Sequence, residues 1–180
     1  FVIPHIYEPI DWGLSQTKIH DEPGWAYTWH SPIKTEADID KLHNPTIDVD
    51  TRATQDIMAV AEEVFGDLLP PRLQTNWWWS TGMTQGLAEL RGLHQIMVDF
   101  GRNPDLIHRI MGILRDGWMV MLDQLEDQEL LSLNNDGSWV GSGGLGWSDE
   151  LPQPDFDGKI RCEDLWGMSE SQETSSVSPD

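Results

Sequence analysis

A chain of 180 residues can form one ordinary domain with a sizeable core, but is short of the about 250 residues that a complete eight-fold β/α barrel takes. Its 31 acidic residues outnumber 11 basic ones, and the formal net charge of -20 argues against a nucleic-acid backbone or an anionic membrane as partner. A single cysteine, Cys162, excludes an internal disulfide, and no apolar run approaches the ~18 residues that span a bilayer, so the sequence predicts a cytoplasmic protein.

Residues 1–34 are rich in Pro, Gly, Trp and His, show no sustained period, and read as an irregular N-terminal segment. Thr35-Glu36-Ala37-Asp38 resembles a capping box, with Asp in place of the usual Glu or Gln, for a short helix to Leu42. From Asp50, Ile57, Val60, Ala61, Val64 and Phe65 fall on one helical stripe, and Gly66 supplies a stop. Leu73 to Trp79 reads as a strand. Its Trp77-Trp78-Trp79 run must split between two faces, because strand side chains alternate. Trp77 and Trp79 share a face and, with Trp147, are candidates to line a pocket for a flat ligand.

Two helices follow, Thr84 to Leu90 and Leu93 to Phe100. Asn103-Pro104 then opens a long third helix to about Glu126, an N-cap amide followed by proline at the first helical position. Its predicted buried stripe is Ile107, Ile110, Met111, Leu114, Trp118, Met121, Leu122 and Leu125. Leu130 to Leu133 reads as a short buried strand that breaks at Asn134-Asn135-Asp136-Gly137. Helices alternating with short apolar strands predict a parallel α/β sheet.

Residues 137–163 form a Gly- and Pro-rich insert, too long for an ordinary connection and placed where functional loops occur. Gly141 to Gly146 matches G-x-G-x-x-G, but Pro152 and Pro154 forbid the helix that would hold a pyrophosphate, which leaves a flexible lid. The short run Asp164 to Met168, ending in Ser169-Glu170, reads as a further strand or as an insert that returns to the pocket. Asn134, Asn135 and Asp136 are the leading site candidates. A carboxylate beside two amides at a strand tip can accept a proton or hold polar groups, although Asn-Asp-Gly is also ordinary turn chemistry. Asp136 and Asn135 are assigned as catalytic; Asn134, Trp77, Trp79, Trp147 and Glu170 as substrate-binding.

Gly86 to Gly92, Ile96 to Phe100 and Asn103 to His108, together with Ile33 to Leu42 and Val177 to Asp180, resemble the middle section of uroporphyrinogen decarboxylase-like proteins. The resemblance covers most of the chain from about residue 30. It implies the central fragment of a (β/α)8 TIM-type barrel in which 35–180 is part of the barrel domain, incomplete at both ends, with the remainder outside this chain. That superfamily holds porphyrinogen decarboxylases and zinc- and corrinoid-dependent methyltransferases. The decarboxylases' aspartate falls at Pro4, their helical tyrosine has no counterpart after Tyr27, and their strand-tip serine falls near Asp136. The resemblance therefore implies an enzyme acting on a tetrapyrrole or a corrinoid-protein-bound group, with methyl transfer ahead of decarboxylation. The alternative is a non-catalytic tetrapyrrole-binding barrel. It implies no cofactor held within this segment, zinc and a corrinoid belonging to the complete methyltransferase.

Overall fold

The computed structural model describes residues 1–19, 27–74, 81–141, 144–169, 171–175 and 177. The chain divides into two compact units. One comprises residues 1–10, 46–80 and 121–168; the other comprises residues 11–45, 81–120 and 169–180.

The second unit is built on helices. The antiparallel pair β2 (Thr17–Ile19) and β3 (Thr28–His30) precedes the short helix α1 (Glu36–Ile39). Asp38 closes the predicted capping box. Its carboxylate accepts from the backbone N–H of Lys34 at 3.0 Å and of Thr35 at 2.9 Å, and its short side chain suffices at that position. Helices α3 (Thr84–Arg91), α4 (Leu93–Arg102) and α5 (Pro104–Asp127) follow within a residue or two of their predicted bounds. Ile33, Ile39, Leu87, Leu90, Ile96 and Ile110 pack into one buried cluster. Gly92 carries φ +87 between α3 and α4, a conformation that other residues reach only with strain. Arg91 and Asp99 form a buried ion pair at 2.7 Å. The guanidinium also donates to the carbonyls of Ile33 and Lys34, and Gln95 donates to the second carboxylate oxygen. Every charge in that cluster has partners, the condition under which a buried pair is tolerated.

The first unit holds β1 (Val2–Pro4), α2 (Thr51–Phe65) and β4 (Arg72–Gln74). Strands β1 and β4 pair in parallel, Ile3 opposite Leu73, with α2 in the connection between them. Asp50 caps α2 by accepting from the N–H of Ala53 at 2.8 Å. A hairpin of β5 (Asp136–Gly141) and β6 (Gly144–Trp147) completes the regular structure. All three sheets have two strands, and none closes on itself among the described residues.

Two expectations are corrected. Leu130 to Leu133 is not a strand. Helix α5 ends in a Schellman motif, the N–H of Leu130 reaching the carbonyl of Leu125 at 2.9 Å and that of Glu129 reaching Glu126 at 3.1 Å. Glu129 takes the left-handed position with φ 55, and residues 130–135 belong to no strand. In the predicted glycine-rich lid, Gly141 and Gly144 are paired across the hairpin, and residues 142 and 143 lie outside the described residues. Asp164 to Met168 is not a strand either; it begins in a 3-10 turn over Cys162–Asp164.

Candidate functional site

Arg72 and Gln74 alternate along β4 and so project to the same side of the strand. Both reach the start of β5. The Arg72 guanidinium is ion-paired and hydrogen-bonded to one Asp136 carboxylate oxygen, and the other oxygen accepts from the Ser138 hydroxyl and, at 3.2 Å, from the Ser138 N–H. Gln74 donates to the Ser138 oxygen at 2.9 Å and to the Leu133 carbonyl at 3.4 Å. Donation runs in one sense, from Gln74 to Ser138 to Asp136, with Arg72 supplying the far oxygen. The Gln74 side-chain oxygen is left buried without a hydrogen-bond partner, in a residue only 6% exposed. A lone buried acceptor costs about 1–3 kcal/mol.

These bonds decide what Asp136 can do. Donation from Ser138, then from Arg72, holds its carboxyl down to about 2, against the partial burial that pushes it up. A base that weak is poorly matched to proton abstraction near neutral pH, where efficiency peaks for groups titrating close to the working pH. Asp136 is suited instead to carrying a fixed negative charge.

The two amides are spent on the fold. Asn134 donates to the Trp166 carbonyl at 2.7 Å and accepts from the Trp166 N–H at 3.0 Å, gripping one residue as a neighbouring strand would. Asn135 donates to the Leu151 carbonyl at 2.7 Å. Both therefore anchor the 151–166 segment. A Cβ on Gly146 would lie 1.8 Å from the Asn134 carbonyl oxygen, so only glycine fits at that approach. Trp147 is 74% exposed, and its ring covers Gly137, where an added Cβ would meet it at 2.4 Å. The structure thus places Asp136 and Trp147 opposite each other at the base of the hairpin. Trp77, Trp79 and Glu170 lie outside the described residues.

Arg72, Gln74 and Ser138 are the site residues that the sequence reading missed. The available signal was the Arg-Leu-Gln alternation before the tryptophans, which sets two polar side chains on one face of a strand.

Among the described residues no three His, Cys, Asp or Glu side chains converge as metal ligands. Burial, then the neighbouring Glu126, pushes the Cys162 thiol up to about 11. The residues described do not form a zinc site. Nor is any described helix long and apolar enough to cross a membrane. Neither protein-family models, nor curated proteins, nor solved structures gave a match to this chain.

Proposed function

We infer that this chain belongs to an enzyme of the uroporphyrinogen decarboxylase superfamily acting on a tetrapyrrole or corrinoid-linked substrate, with methyl transfer from a corrinoid protein ahead of porphyrinogen decarboxylation. The observation that supports this reading is the parallel pairing of β1 with β4 across α2, the strand–helix–strand unit from which β/α barrels are assembled. The polar cluster is built along β4, from its first residue, Arg72, to its last, Gln74.

In this reading Asp136 is an electrostatic partner. Its permanent charge would favour a protonated pyrrole or another cationic centre developing nearby. Arg72, exposed at the same place, offers a planar fork to a substrate carboxylate. The 134–135 amides hold the surrounding segment in place.

The test is made on the intact gene product. Methyl transfer from methylcobalamin to a thiol, with zinc content measured in parallel, is the expected activity. Carbon dioxide release from uroporphyrinogen without methyl transfer would move the reading to the carboxy-lyase. A non-catalytic tetrapyrrole-binding barrel is the second reading, favoured by the fact that the carboxylate and both amides of 134–136 are already engaged within the chain. Tetrapyrrole binding without turnover would select it, and neither binding nor turnover would remove the superfamily altogether.

A further inference from the structure

Helix α2 is amphipathic, yet only Thr54 and Ala61 of its fifteen residues are buried. Val60 and Val64 are each 59% exposed, Leu68 in the turn beyond is 81% exposed, and Ile57 and Phe65 are also exposed. Phe1 extends the patch, its ring packed edge-on against Phe65 with centroids 5.1 Å apart. Four large apolar side chains open to water on one short helix, with Leu68 in the turn beyond and Phe1 beside Phe65, are not the scattered apolar residues of an ordinary surface. A helix of this length also gains most of its stability from packing its apolar side.

The charges beside the patch say what could cover it. Asp56 and Glu63 recur at i and i+7 on α2, adjoining Val60 and Val64, Asp67 follows in the turn beyond the helix, and all three are exposed. Between residues 51 and 69 the one cation is Arg52, which already faces Asp56 at 4.0 Å. A second copy of the chain would bring the same acidic row and a further charge of -20, so self-association sets like against like.

We propose that the exposed face of α2, from Ile57 to Leu68 with Phe1, is a docking surface for a basic amphipathic helix of a partner protein, apolar side chains on the valine strip and Lys or Arg against Asp56, Glu63 and Asp67. This surface does not depend on the enzymatic reading. Its recognition is that of a helix laid on an apolar face, with charge setting register and on-rate.

The probe is a fluorescently labelled Leu/Lys peptide with helical period, titrated into the full chain by anisotropy beside the same peptide with Glu for Lys. The Leu/Lys peptide should bind at least tenfold more tightly than its Glu counterpart and weaken as salt is added. Val60→Thr with Val64→Thr and Leu68→Ser, all at exposed sites and checked for helix content by circular dichroism, should weaken it at least tenfold. Asp56→Asn with Glu63→Gln and Asp67→Asn should flatten the salt dependence, whereas Asp149→Asn with Glu150→Gln should leave it unchanged.

Equal losses from both acid sets, or unchanged binding by the apolar variant, would reduce the interaction to bulk charge and overturn the proposal. A chain that sediments as a dimer until the apolar substitutions are made would give the face to a second copy. An intact gene product whose melting temperature falls sharply with those substitutions would give it to the polypeptide's own packing.

Discussion

The two units solve the same problem with different material. Residues 81–120 bury an apolar stripe from each of three consecutive helices around Ile33 and Ile39, and their one buried ion pair is fully hydrogen-bonded. The other unit relies on two-stranded sheets, side-chain clamps and glycines at close approaches, and leaves the apolar face of its helix α2 open. Stability in the first case comes from burial, which is indifferent to orientation. In the second it comes from directed bonds, which hold particular side chains in fixed geometry. The candidate site and the open face of α2 both lie in the unit that buries fewer apolar residues.

The sharpest break of that contrast is Asp99→Ala. It leaves the Arg91 guanidinium buried with no counter-charge and should cost about 3–5 kcal/mol in urea unfolding. Ile110→Ala, at a fully buried position in the same cluster, should cost about 3 kcal/mol, while Val60→Ala on the open face of α2 should change stability by less than about 0.5 kcal/mol. Equal costs at Ile110 and Val60 would show that α2 is covered in solution and erase the distinction between the units.

The bonds of the polar cluster should appear in the pH dependence. The Asp136 carboxyl titrates lower in the fold than in the unfolded chain, so its contribution is complete above about pH 4 and is lost as the pH falls toward about 2. Since Arg72 and Asp136 are both well exposed, solvent screening keeps that contribution below about 1 kcal/mol. Asp136→Asn should therefore flatten this part of the acid-unfolding profile, and an unchanged profile would place the ion pair outside the balance of stability. One substitution should give a gain. Glu129→Gly, at the left-handed end of α5, should stabilise the protein by about 0.5–1 kcal/mol, read as a higher denaturant midpoint.

What was legible in the sequence follows the same division. Helices α3, α4 and α5 could be placed almost to the residue because Asn103-Pro104, Gly92 and the 3.6-residue stripe are local signals. The stripe of α2 was equally clear, but periodicity reports which residues share a side and not what lies over them. Leu130 to Leu133 carries the composition of a strand, yet the cue against a ladder was the preceding turn at Glu129, a residue that seldom adopts left-handed geometry. Asp136 was named from its place after an apolar run, and the structure sets it in a hydrogen-bonded cluster with Arg72 and Ser138. Arg72, Gln74 and Ser138 escaped because their meeting depends on a contact across 64 positions of sequence, which no spacing rule encodes.

The grip of Asn134 on Trp166 has a corollary for that position. The hold needs one donor and one acceptor on the same planar group, so exchanging a single nitrogen for oxygen turns attraction into a clash of lone pairs at 2.7 Å. An aspartate there could keep hold only while it carried a proton. Asn134→Asp would convert a permanent latch into one that fastens in acid and slips at neutrality.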